Sequence, residues 1–116
     1  MPILKIFTNV SREKIPVDFV NKILPVLAKV LRKPENLFSC VVAPDCVLSF
    51  AGDSTIPGAM ANLESIGHLG PADNKVIAKE VTDFVEKELG VSPARFVLTF
   101  YDMQPYNIAK NGVTFA

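Results

Sequence analysis

The chain has 116 residues, 49% of them hydrophobic, with 12 basic residues balanced by 12 acidic ones. This length suits a single domain over residues 1–116 with a real core, and the charge balance excludes the basic field that drives nucleic-acid or anionic-membrane binding. No apolar stretch approaches the roughly 18 residues of a membrane span, so no membrane insertion is expected and the surplus apolar surface must be buried elsewhere.

In chain order, Met1-Pro2 precedes the apolar run Ile3, Leu4, Ile6 and Phe7, and residues 2–8 read as a strand. Removal of Met1, usual before a small second residue, would leave a secondary amine at the head of that strand. Apolar surroundings lower the pKa of such an amine and a nearby cation lowers it further, which suits a general base or nucleophile near neutral pH. Met-Pro alone reads first as an ordinary start followed by proline. No basic n-region precedes Thr8, and Ser11 to Asp18 is charged where an apolar signal core would be needed, so cytosolic synthesis is expected.

Asn9 to Lys14 is a polar connection. Pro16 and Asp18 then open a helix with Phe19, Ile23, Leu24, Leu27, Val30 and Leu31 on one face. Pro25 lies inside that pattern and is expected to kink it, at a cost of about 3 kcal/mol. Lys33-Pro34 ends it, because the residue before proline avoids the helical region. Leu37 to Val42 and Val47 to Phe50 read as one long strand interrupted at Pro44-Asp45.

Gly52 to Gly58 is a loop and Ala59 to Ile66 a further strand. A second helix is expected from about Asp73 to Leu89, burying Val76, Ile77, Val81, Phe84, Val85 and Leu89, with Gly90 as its stop. Arg95 to Tyr101 is the next strand, followed by a short tail.

The order is strand, helix, strand, repeated once. Two right-handed βαβ units give an α+β, ferredoxin-like fold: one four-stranded mixed sheet with two helices on one face. The strands do not alternate cleanly, since Cys40, Val41 and Val42, or Phe96, Val97, Leu98, Phe100 and Tyr101, put apolar side chains on both sheet faces. Two helices cover one face only, so the other is expected to be covered by copies of the chain.

Cys40 and Cys46 match neither a C-x-x-C pair nor a zinc cluster and read as reduced core residues. Asn9-Val10-Ser11 fits the glycosylation pattern but should stay bare without entry to the secretory pathway. His68 stands in a Gly-flanked turn with no catalytic partner near it in sequence and reads as an exposed turn residue.

Met1-Pro2, Thr8-Asn9, Lys33-Pro34, Pro44-Asp45, Ser65-Ile66-Gly67, Ser92-Pro93, Tyr101-Asp102-Met103 and the ending Asn111 to Ala116 together resemble the macrophage migration inhibitory factor family, along the whole chain. The resemblance implies a homotrimer whose three sheets wrap into a barrel. It implies a keto-enol tautomerase without cofactor or metal, acting on phenylpyruvate-like and dopachrome-like aromatic compounds between adjacent subunits, with Pro2 as base and Lys33 as pocket cation. Without it, Lys33 reads as a solvated helix-end cation and Ile66 as a buried strand-end aliphatic. By the resemblance Ser65 and Ile66 sit at the substrate, Ile66 through its backbone, while Ile3, Ile108 and Phe115 line the pocket. A secreted, cytokine-like role without a signal peptide, with the class II invariant chain as receptor, is implied as well.

The chain also departs from that family. Where a neighbouring subunit of the family supplies a tyrosine hydroxyl and an asparagine amide, this sequence has Val97 and Thr99. Val97 cannot donate a hydrogen bond, and Thr99, which could partly replace the amide, reads first as a cross-strand partner. A pocket tyrosine is replaced by Leu37, a rim tryptophan by Lys110, and the C-x-x-C by Gly58-Ala59-Met60-Ala61, so no thiol oxidoreductase activity carries over. One lost donor costs roughly a hundredfold or more in rate, which predicts a weaker or differently selective tautomerase. Two alternatives follow: a trimeric receptor-binding homologue with little catalysis, or an enzyme of the D-dopachrome decarboxylase kind.

Overall fold

The computed structural model describes all 116 residues. Strands β1 (Ile3–Thr8), β2 (Ser39–Ala43), β3 (Ala59–Ser65) and β4 (Phe96–Asp102) form one sheet in the order β2-β1-β3-β4. β1 is parallel to β2 and β3 is parallel to β4, and the two pairs join antiparallel through β1 and β3. Helices α1 (Phe19–Lys22), α2 (Leu24–Leu31) and α3 (Pro71–Leu89) supply the crossovers, α1 and α2 being two parts of the first.

The division of the first helix comes from Pro25. It cannot donate to the carbonyl four residues earlier, so the helix lapses at Ile23 and Pro25 falls in the first turn of α2, where a missing N–H costs little. Phe19, Ile23, Leu27 and Leu31 face the sheet as expected and are buried. α3 starts two residues before Asp73, at Pro71, because proline suits the first helical position. Val76, expected on the buried face, points to solvent instead, while Ile77, Val81, Val85 and Leu89 carry the contact. Gly90 ends the helix in the left-handed region (φ 68°).

The pleat separates two faces. Leu4, Ile6, Ala61, Leu63 and Phe96 are buried under the helices, and the rings of Phe19 and Phe84 meet at 5.6 Å. On the other face the strand register aligns residues in rows across the sheet: Ala43, Phe7, Met60 and Val97, then Val41, Lys5, Asn62 and Thr99, then Ser39, Ile3, Glu64 and Tyr101. Phe7, Val41, Met60, Val97 and Tyr101 are each about half exposed there. Lys5 and Glu64 form an ion pair across the same face at 3.2 Å.

The long strand expected to resume at Val47 to Phe50 does not form. Asp45 and Cys46 still donate to Val10 and Thr8, but the chain then leaves the sheet, Val47 is exposed, and Phe50 makes an isolated bridge to Asp53. Strand-forming residues without a ladder partner in the chain stay irregular. The following loop is pinned from outside. Arg95 donates to the carbonyls of Phe50, Asp53, Ile56 and Pro57, and Asn9 both donates to Ile56 and accepts from Gly58.

The tail holds a hairpin not anticipated from sequence, β5 (Ala109–Lys110) against β6 (Val113–Thr114). Its turn residues Asn111 and Gly112 both have positive φ, as a two-residue hairpin turn requires. Both cysteines are free, and burial pushes the Cys40 thiol up to about 11 from its ordinary 9.0.

Two measurements check this packing. In urea unfolding at fixed protein concentration, Ile77→Ala should lose about 2–5 kcal/mol, whereas the adjacent Val76→Ala should change stability by less than about 0.5 kcal/mol. Equal losses would place the helix face elsewhere. Alkylation of native Cys40 at pH 8 should run about a hundredfold slower than that of an ordinary thiol.

Candidate active site

The head of β1, the C-terminal ends of β3 and β4, and the end of α2 lie at one end of the sheet. Pro2 is buried there, and its carbonyl accepts the Ser39 N–H at 3.1 Å, which fixes the strand head against β2. Beside it, α2 ends on Arg32 in the left-handed conformation (φ 56°). A non-glycine residue in that region costs about 1–3 kcal/mol. The turn carries Lys33 off the helix axis, and Pro34 keeps Lys33 out of the helical region.

Lys33 Nζ then donates to the Ile66 carbonyl at 3.0 Å and to Ser65 Oγ at 3.4 Å. Ser65, one of two buried polar side chains, donates in turn to the Gly67 carbonyl at 2.9 Å. The Gly67 N–H is held by Asp102 Oδ1 at 3.0 Å, and Met103 N–H by the Ser65 carbonyl at 2.8 Å. His68 Nδ1 lies 2.6 Å from the Leu31 carbonyl, which only accepts, so Nδ1 carries the proton. The exposed turn histidine thus also ties the β3–α3 turn to the end of α2.

The electrostatics centre on the N-terminal amine, here that of Met1. Partial burial lowers its pKa below the ordinary 8.0, and the charges of Lys33 and then Lys110 lower it further. Burial also lowers Lys33, against the opposing field of Asp102. No three His, Cys, Asp or Glu side chains converge as metal ligands.

Lys33, Ser65 and Ile66 are joined by hydrogen bonds, and the α-amine of Met1, the residue before Pro2, lies in the field of the Lys33 charge. Ile108 and Phe115 flank the C-terminal hairpin, the Phe115 N–H donating to the Ile108 carbonyl at 3.1 Å. Val97 and Thr99 do not join them. Both lie on the open sheet face, Val97 in the Phe7–Met60 row and four residues from Tyr101, about 13 Å along the strand from the row of Ile3. Neither cavity of the chain touches the cluster either; the one of about 300 Å³ is lined by Arg12, Phe19, Val42 and their neighbours.

Sequence reasoning missed Asp102 as a partner of the cluster, and it missed the hairpin that carries Lys110. The Asn-Gly pair at 111 and 112 was the available signal for the hairpin. Nothing local marks Asp102.

The family description "Macrophage migration inhibitory factor (MIF)" matches residues 1–116. The chain belongs to the MIF family. It is 36% identical to macrophage migration inhibitory factor of Xenopus tropicalis and 37% identical to that of Xenopus laevis, each over the full length of both chains. The solved macrophage migration inhibitory factor of Trichinella spiralis superposes with a TM-score of 0.93 at 27% identity, covering 97% of this chain and 99% of that one. The mixed sheet with helices on one face is thus the MIF fold.

The field of the two lysines has a direct test. In protein freed of Met1, the Pro2 amine should titrate by NMR below the ordinary α-amino range of about 8. Lys33→Ala should raise that pKa, because removing a like charge favours the protonated form. An unchanged or lowered value would exclude the coupling.

Proposed function

We propose that this MIF-family chain is a keto-enol tautomerase of aromatic 2-oxo acids and dopachrome-like compounds, with Pro2 as general base once Met1 is removed. The observation that carries the reading is Pro2 buried at the head of β1, next to a Met1 amine whose pKa is lowered by burial and by the Lys33 charge. The amine passes one residue inward on processing, to Pro2, which is itself buried.

The chemistry follows from that placement. A substrate carboxylate pairs with the Lys33 ammonium while the carbon next to the carbonyl faces the Pro2 nitrogen. Nitrogen takes the proton, the C–H pair becomes the C=C bond, and the carbonyl π pair moves to oxygen as an enolate. The enolate oxygen then takes a proton from water or from the Pro2 ammonium. With Val97 and Thr99 supplied by an adjacent protomer, no tyrosine hydroxyl assists, so turnover is modest. The homotrimer that this requires also covers the open sheet face, and the half-exposed Phe7, Met60 and Val97 row supports it.

A second reading is a secreted, cytokine-like ligand of the class II invariant chain. Full-length similarity, at 36–37% identity, to proteins named macrophage migration inhibitory factor supports it, and it needs no chemistry at Pro2.

Purified protein whose intact mass shows Met1 removed should tautomerise phenylpyruvate and dopachrome methyl ester. Pro2→Gly should reduce that turnover by about a hundredfold or more while leaving the assembly intact by sedimentation. Turnover unchanged in Pro2→Gly, or undiminished in protein retaining Met1, would overturn the assignment of the base.

A further inference from the structure

The Lys33 ammonium is held by a turn it does not belong to. Nζ donates to the Ile66 carbonyl at 3.0 Å and to Ser65 Oγ at 3.4 Å, both where β3 leaves the sheet. The last pair of the β1–β3 register, Ile3 with Glu64, adjoins both Pro2 and Ser65. The turn is tied down from β4. The register sets Ser65 against Asp102, the Met103 N–H donates to the Ser65 carbonyl at 2.8 Å, and the Gly67 N–H donates to Asp102 Oδ1 at 3.0 Å. Within the turn, Ser65 Oγ donates to the Gly67 carbonyl at 2.9 Å. The root of the lysine is held separately, through the bond between His68 Nδ1 and the Leu31 carbonyl at the end of α2.

A lysine side chain has large rotamer freedom, so an ammonium stays in one place only if its acceptors do. Asp102 supplies the side chain from outside the turn that fixes those acceptors. It enters none of the chain's three ion pairs, so its contact with the cluster is the Gly67 bond and not a direct bridge to Lys33. We propose that Asp102 is a positioning residue for the tautomerase: by holding the 65–67 turn it sets the Lys33 ammonium where a substrate carboxylate meets it, and so governs substrate affinity. This rests on the reading of Lys33 as the carboxylate anchor of the Pro2 site.

The test compares Met1-processed protein with Asp102→Ala, Asp102→Asn, Lys33→Ala and the double alanine variant, in phenylpyruvate turnover and in calorimetric titration with cinnamate, an unreactive carboxylate. Asp102→Ala should raise KM and weaken cinnamate binding about fivefold, the worth of one hydrogen bond, with kcat within about twofold. Loss of folded protein alone would lower kcat and leave KM in place. Asp102→Asn keeps an oxygen for the Gly67 N–H and should stay within about twofold of the parent protein. In the Lys33→Ala background, Asp102→Ala should change neither quantity, because its effect passes through Lys33. Should Asp102→Ala fail to fold, Asp102→Glu replaces it: it keeps the charge but displaces the oxygen by one methylene, and should raise KM where Asp102→Asn does not. An unmoved KM, an asparagine variant as impaired as the alanine or glutamate one, an Asp102 effect that persists without Lys33, or a parent protein that binds neither acid would overturn the proposal. Cinnamate binding weakened by Asp102→Ala in protein without turnover removes the base and leaves the positioning role. Turnover that depends on Pro2 with a KM indifferent to Asp102 removes the positioning role alone.

Discussion

The fold depends on a sheet that is apolar on both faces but covered on one. Leu4, Ile6, Ala61 and Leu63 are sealed by Ile23, Leu27, Leu31, Ile77, Val81 and Val85, and burial of each leucine, isoleucine or valine side chain stabilises by about 1.5–3 kcal/mol. The opposite face alternates an apolar row, Phe7, Met60 and Val97, with a polar one, Lys5, Asn62 and Thr99. A bare hydrophobic sheet invites promiscuous stacking. The Lys5–Glu64 pair placed on it demands a particular partner, because burying either charge against the wrong surface is costly.

The two ends of the sheet are closed by different means. At one end Thr8, the other buried polar residue, donates to the Gly58 carbonyl at 2.7 Å, and Arg95 gathers four carbonyls of the loop before β3. At the other end Ser65 and Asp102 fix the turn after β3, and Lys33 reaches in from α2. The first arrangement consumes its guanidinium entirely on structure. The second leaves ammonium charge unneutralised beside the chain's N-terminus, and that difference is why the proposed base is placed at this end.

Much of this was legible in the residues, and the failures have physical causes. Period-3.6 and strand patterns located both crossovers and the four sheet strands, and the covered and open faces followed from the mixed pleat. Val47 to Phe50 misled because strand propensity says nothing about whether a partner is present. Val76 misled because one residue of helical phase separates it from Ile77. At the site, Pro2, Lys33 and Ile66 could be named from the family resemblance. The Ser65–Gly67–Asp102 chain of hydrogen bonds could not, since Asp102 lies 35 residues from Gly67 and only the β3–β4 register brings them together.

The Lys33 ammonium has three N–H groups, and two are already directed at Ile66 and Ser65. On the proposed reading, an arriving carboxylate would meet one free donor and a diffuse charge, not the two-pronged clamp of an arginine. Such a grip holds without fixing direction. Substrate orientation would have to come from the shape of the apolar walls, and the same looseness would let product leave soon after it forms.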